Sequence, residues 1–503
     1  MNKRQGGARM GRIYVLAGLL LLAGCREQQG GAVAVTVIGG PLRLVDPAAA
    51  SLTSGEAVLL QTVAQGLVRF DAQGQIEAGL AERWNVSDDG LSYIFRLASG
   101  EWPDGRKITA HEVARLLRRQ LGRQSENPLK DAFGAVAEIV AMTERVIEIR
   151  LKAPRPNLLQ LLAQPELALL RNGEGTGPFT VKREPNDGGA WLLEHEIPLP
   201  DGEDSLVERV ALRSAAAEAA VRSFIDRRTE LVLGGTFADL GFALGKSLPR
   251  GSLRFDPAVG LFGLVPAREG GPIARPEVRA LLDQAIDREA LIAALGVPDL
   301  APRATILHAG LEGFNGSAAI PTWSNVPTAE RRDALAAEGR RLFAEDADEG
   351  EQEERPRIRL ALPQGPGAEI VLERLRSDWE ALGVEVERSG PGAPADLRLV
   401  DLVAPSLSPA WFLRQFRCGA VPICEPEADA LMDAARQTTV AQQRAALLGN
   451  AERELRRSVL FLPIAAPVRW SLVGRGLSGF AENRFSRHPL LGLRGRAALP
   501  RRE

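Results

Sequence analysis

Histidine, tyrosine and cysteine are scarce in this chain, with 4, 2 and 3 of them among 503 residues. The histidines, His111, His195, His308 and His488, are scattered, and none has the neighbours that a metal site needs. Also missing are G-x-S-x-G, H-E-x-x-H and the Walker A pattern, signatures of an activated serine, a zinc-dependent hydrolase and a phosphate cradle. "GRGLSG" at 474–479 does fit G-x-G-x-x-G. The "FAENRFSRHPLLG" after it has no helical apolar stripe and contains a proline, so no helix N-terminus waits there for a phosphate. No Lys/Arg block breaks a net charge of −2, which argues against a nucleic-acid partner. Nothing after the N-terminus approaches the roughly 18 uninterrupted apolar residues of a spanning helix, so the body is expected to be soluble. These absences point away from catalysis, metals and cofactors.

What is present begins with Lys3, Arg4, Arg9 and Arg12, followed by the apolar run Ile13–Ala23 and then "LAGC", Leu22–Cys25. A basic start, a short apolar core and small residues before a cut describe an export signal. The run is too short for a spanning helix, which needs about 20 residues. "LAGC" resembles the lipobox of bacterial lipoproteins, in which the cysteine is acylated and becomes the first residue. Each buried methylene of an acyl chain contributes about 0.8 kcal/mol, so several chains on Cys25 would tether firmly. The "REQQGG" that follows reads as a short flexible leash, and the mature body is expected outside the cytoplasmic membrane.

With Cys25 acylated, Cys418 and Cys424 remain as an even pair in an oxidising compartment, and a disulfide is expected between them. So small a loop yields about 2 kcal/mol in the chain-entropy model. A metal is the other use for two thiols, but C-x5-C without a nearby histidine is a poor zinc set.

Along the chain, "AVAVTVIGG" (32–40) reads as a strand, and Val58, Leu59, Val63 and Leu67 follow at helical spacing. "RFDAQGQI" turns at Asp71–Gly74, and "WNVSDDGLSYIFRL" (84–97) is a hairpin about Asp89-Gly90. In "EWPDGRKITAHEV" (101–113), Pro103-Asp104-Gly105 is a turn, Thr109 and Glu112 a capping box, and Trp102 a cover for the seam. Val113, Leu116, Leu117 and Leu121 form the stripe of the helix. Asp104 and His111 lack a nucleophile or third partner, so this stretch is scaffold. Further on, "ELVLGG" (230–235) is a strand, and one helix is expected from Pro276 to Leu295, stopped by Gly296. The acidic stretch at 344–354 reads as a solvated loop. A strand at 357–362, a helix at about 368–382 and strands "VEVE" and "DLRLVDLV" (396–403) predict a parallel α/β layer.

Several of these elements, in their order, resemble the extracytoplasmic solute-binding proteins of family 5, from peptide-type ABC importers that take oligopeptides, dipeptides or nickel. The carriers are "LVDP" (44–47), "QGLVRFDAQGQIEAGLAERWNVSDDGLSYIFRL" (65–97), "EWPDGRKITAHEV", "GTGPFTV" (175–181), "RPEVRALLDQAIDREALI" (275–292) and "CEPEADALMDAAR" (424–436). The resemblance implies an α/β, two-lobed periplasmic-binding-protein-like fold (type II, cluster C) with an extra subdomain in the first lobe. It divides the chain into a signal (1–25), first lobe (26–50), subdomain (51–169), first lobe (170–255), second lobe (256–469) and a return to the first lobe (470–503). It implies a binder without catalysis or cofactor: the lobes close on a small solute, peptide or peptide-like, and deliver it to an ABC permease and ATPase complex. The alternative on the same fold is a sensing or assembly lipoprotein that feeds no permease.

One departure bears on the ligand. In peptide-binding members an aspartate following the strand matched by 396–403 grips the α-amine. A gapless match over "DLRLVDLVAPSLSPAWFL" places Pro405 there, with Asp401 upstream. Proline carries neither charge nor N–H, so that ammonium anchor is expected to be absent. Ser51, Thr53, Ser54 and Gly55 match a segment that reads the ligand main chain. With Asp401, Pro405, Ser406, Trp411 and Arg417 they form the expected cleft lining, the last two suiting a part-apolar, part-anionic ligand.

Overall fold

The computed structural model describes residues 31–184, 189–199, 205–314, 320–344 and 356–495. Cys25 and the acidic residues 345–354 lie outside them. Three sheets of four or more strands organise the described residues. At the centre of the first, Val33–Ile38 pairs parallel with Ser205–Ala215 on one side and Leu231–Thr236 on the other. Both of its faces are covered, which is why it reads as a run of valines. Helix Ser54–Val63 sets Leu59 and Val63 against Val33, Val35 and Val37. Helix Ala217–Ile225 packs Val221 and Phe224 with Ile38 and Val232. Helix Ser54–Val63 therefore packs on the first sheet, and the next strand is Val68–Phe70.

The subdomain is an antiparallel sheet in the order Ala81–Val86, Ser92–Leu97, Val146–Leu151, Val136–Thr143, packed against helix Ala110–Gln120. Gly105 closes its turn at φ +79°, where a side chain would be strained. Trp102 is buried with Val113, Ala114 and Leu117, so it does seal the seam. The capping box is only half made: Thr109 Oγ1 accepts from the Glu112 N–H. The Glu112 carboxylate turns instead to Arg115 and Arg171. A complete box occurs at Thr53 and Glu56, which the sequence reading passed over.

The second sheet runs Glu385–Ser389, Arg357–Ala361, Leu397–Val403, Gly260–Pro266, Leu462–Ala465. The first three are parallel, as the β-α-β spacing predicts, but Gly260–Pro266 is antiparallel to both neighbours. The reason is topological: Gly260–Pro266 brings the chain into this lobe and Leu462–Ala465 takes it out. The expected helix from Pro276 to Leu295 is two, Pro276–Ala285 and Arg288–Leu295. Asp287 caps the second through the Ala290 N–H, while its own N–H goes to Asp378, so the helical ladder is interrupted. Gly296 ends it in the left-handed region, as expected.

The lobes are joined by two crossings, Phe255 to Gly260 and Ala465 to Arg469. The Asp256 N–H donates to the Arg469 carbonyl at 3.0 Å, fastening one crossing to the other. Segment 483–488 lies against them. Asn483 donates its N–H to Asp256 Oδ1 at 2.9 Å and its side-chain amide to the Ala72 carbonyl of the subdomain at 3.3 Å. Phe485 stacks on Phe70 of the subdomain, ring centres 4.8 Å apart.

Candidate functional site

A cavity of about 280 Å³ opens between the lobes, near the lower limit of ordinary small-molecule sites. Thr53 and Ser54 reach it from the start of their helix, and Leu233–Thr236 from the end of a central strand. Asp401, Leu402 and Val403 come from the second lobe, and Arg469, Trp470 and Ser471 from the returning crossing. Glu166 and Phe485–His488 complete the wall. At Leu233-Gly234 the ladder with the returning strand slips by a bulge, a device common beside binding sites. Gly235 has no alternative here, because a Cβ would run into the Trp470 indole, whose Nε1 donates to the Thr236 carbonyl at 2.8 Å.

Two ion pairs and a histidine–aspartate contact line the cavity. Arg469 Nη1 bonds both Asp401 oxygens at 2.8 and 2.9 Å, linking the first sheet to the second. Arg487 Nη2 bonds Glu166 Oε1 at 2.8 Å, and His488 Nε2 meets Asp256 Oδ2 at 3.0 Å. Burial pushes the Asp401 carboxyl up, with the Arg469 charge and hydrogen bonds pulling back. Asp239, within electrostatic reach of both, is also raised by burial, against hydrogen bonds from Thr236. A carboxyl whose folded pKa is raised contributes stability below its unfolded pKa that is lost as pH rises through the folded value. Asp239→Asn is therefore expected to raise the urea midpoint at pH 7, by an increment that shrinks stepwise towards pH 4. An increment constant across that range would contradict the burial of this charge.

Four buried polar atoms on these lining residues have no hydrogen-bond partner: Glu166 Oε2, Ser471 Oγ, Ser486 Oγ and His488 Nδ1. Buried polar atoms are nearly always satisfied, and leaving one unmade costs about 1–3 kcal/mol. All four belong to residues that line the cavity, so small side-chain shifts there would offer a solute both donors and acceptors. Among the described residues no group of three or more His, Cys, Asp or Glu side chains is placed to hold a metal.

The expected lining residues divide. Thr53, Ser54 and Asp401 meet in the cavity. Ser51 is exposed outside it, and Gly55 is buried where a Cβ would clash with Leu42. Pro405 is buried, and its carbonyl accepts from Gln164 Nε2 at 2.7 Å. Ser406, Trp411 and Arg417 face a second cavity, where the subdomain meets the second lobe. Gln164 to Pro405 and Leu407 N–H to Gln160 Oε1, 2.9 Å, tie the seam between the segments lining the two cavities. Cys418 and Cys424 are bonded, with Cα atoms 5.0 Å apart. Sequence reasoning missed Glu166, Ser471, Arg487 and His488, whose partners are far away in the chain. Gly234-Gly235 at a strand end was the one local signal, since paired glycines there mark close backbone approach.

Comparisons with known proteins follow from this geometry. Residues 75–393 match the family model described as "Bacterial extracellular solute-binding proteins, family 5 Middle". The chain is 24% identical over 503 aligned positions to "Di/tripeptide-binding protein 1" of Pseudomonas aeruginosa, covering 88% of this chain and 91% of that one. Among solved structures, Haemophilus influenzae OppA in complex with the peptide RPPGFSPFR superposes with a TM-score of 0.77 at 17% identity, covering 93% of this chain and 99% of that one. The Escherichia coli murein tripeptide binding protein MppA gives 0.75 at 18%, covering 90% and 96%. At such identities the structures establish the fold, the two-lobed α/β architecture.

Proposed function

The chain belongs to the bacterial extracellular solute-binding proteins of family 5, and we propose on that premise that it is the substrate-binding receptor of a peptide-type ABC importer. It takes a small peptide or peptide-like solute into the 280 Å³ cavity and alters no bond in it. Contacts to both lobes favour the closed state, which presents the solute to a membrane permease and its ATPase. A lipid on Cys25 keeps the receptor near that permease, raising its effective concentration.

The observation that carries this reading is an interlobe cavity whose lining residues include four with a buried polar atom that has no hydrogen-bond partner. Glu166 is the most telling. Its Oε1 is committed to Arg487, while Oε2 is buried and free to accept from an ammonium group. The charge missing at Pro405 is thus supplied by Glu166, two residues from the Gln164 that bonds Pro405. Thr53, Ser54 and Asp401 touch the solute.

Calorimetric titration with a panel of di- and tripeptides and their N-acetylated forms tests this. A charge-assisted hydrogen bond contributes about 1.5–3 kcal/mol, so N-acetylation and Glu166→Gln should each weaken binding by roughly 10- to 100-fold. If no member of the panel binds, the peptide reading fails. If acetylated and free peptides bind alike, the role of Glu166 fails.

A further inference from the structure

The second cavity, about 150 Å³, is crowded by arginines: Arg155, Arg414, Arg417, Arg436 and Arg444 all line it. Arg417 is committed, its two Nη atoms holding Asp433 at 2.9 and 2.8 Å. The other four form no ion pair among the described residues. Arg155 spends its Nη atoms on the carbonyls of Pro154 and Arg436, at 2.9 and 3.2 Å, and Arg444 donates to Pro154 at 2.8 Å. The Arg436 guanidinium lies over Gly134, where a Cβ would collide with it.

Two further acids face this space. Glu312 accepts from the amides of Asn157 and Gln160, and Asp131 lies near Arg414 without an ion pair. Five guanidinium groups therefore confront four carboxylates, two of which, Asp429 and Asp433, pair with Arg417; the other four arginines face only Glu312 and Asp131. Burial, with Arg444, Arg436 and Arg414 alongside, pulls Arg155 down to about 10. Arg414 is lowered by burial and then by Arg436. Like charges held together in a partly buried place raise the free energy of the fold, and an anion between them relieves it. Apolar side chains complete the lining, and Trp411, Met432 and Leu448 stand one helical turn from Arg414, Arg436 and Arg444, with Leu158 and Leu161 beside them.

We propose that this junction is a second binding site, for a carboxylate or phosphate carried on an apolar chain. Arg155, Arg414 and Arg436 hold the anion, for which the guanidinium fork is well shaped. Trp411, Leu158 and Leu448 receive the chain. The site is separated from the interlobe cavity by the Gln160 and Gln164 bridges, and it stands whether or not peptides bind in the cleft.

The probes are octanoate, octyl phosphate, octanamide and inorganic phosphate, titrated calorimetrically into the whole mature protein. Octanoate or octyl phosphate should bind at least 10-fold more tightly than octanamide and than inorganic phosphate. Whichever anion is tighter names the head group. Arg414→Gln with Arg436→Gln should erase that preference, while Glu166→Gln leaves it intact. Gly134→Ala, at a φ of −62° that any residue adopts, displaces Arg436 sterically and should weaken anion binding even where the double variant folds poorly. No binding at millimolar concentration, equal binding of octanoate and octanamide, or a preference that survives both sets of variants overturns the proposal. The peptide titration on the same protein reads the cleft separately.

Discussion

Gly235→Ala should cost this protein on the order of 3 kcal/mol and lower its thermal midpoint by roughly 3 °C. The added methyl lands on the indole of Trp470, a rigid ring only 1% exposed that cannot swing aside as the end of a lysine could. Overpacking accounts for about 1–3 kcal/mol. Displacing the ring also breaks its Nε1 bond to the Thr236 carbonyl, leaving a buried donor at about 1–3 kcal/mol more. Because Gly235 and Trp470 both line the interlobe cavity, solute binding should fall with stability. Gly390→Ala is the matched control, since nothing lies within 4 Å of the new atom. If the two variants melt alike, the packing of Trp470 on Gly235 is misjudged.

The second large effect is expected at Arg469→Gln. Asp401 and Arg469 share two short bonds, and each side chain is only 16% exposed. Removing one partner of a buried pair leaves the other charge uncompensated, at about 3 kcal/mol or more. The Asp401 carboxyl, already raised by burial, should rise further. The destabilisation should therefore be greatest at high pH, fade as pH falls through the raised folded value of the Asp401 carboxyl, and be gone once pH is below the ordinary aspartate value of about 3.9. Asp401→Asn combined with Arg469→Gln removes the stranded charge and should recover much of the lost stability. A double variant no better than Arg469→Gln alone would show that the two side chains are not coupled. The pair also spans the lobes, so scattering profiles of Arg469→Gln should report a more open average shape before any solute is added.

Much of the fold was legible because its signals are local. Gly296, Gly105 and the Asp89-Gly90 turn stand where turn and cap chemistry puts them. The stripe of Val113, Leu116 and Leu117 marks the helix Ala110–Gln120, whose residues face a single core. Errors arose where a tertiary partner outbid a local one. Glu112 prefers two arginines to the N–H of its own cap, and Asp378 takes the N–H of Asp287 and splits a helix in two. The site was far less legible. Glu166 and Arg487 lie 321 positions apart, Asp256 and His488 232. No spacing rule connects such residues, and only the closing of the chain brings them onto one wall. Arg417 illustrates the converse: its type suits an anionic ligand, but Asp433, 16 residues on in helix Pro426–Gln437, neutralises it.

Segment 483–488 gives the molecule a property beyond solute contact. One asparagine holds the subdomain, through Ala72, and the pivot, through Asp256, while His488 grips that same aspartate from the cavity side. One short strap therefore stitches the subdomain to the crossing at Asp256, and its far end reaches the cavity through His488.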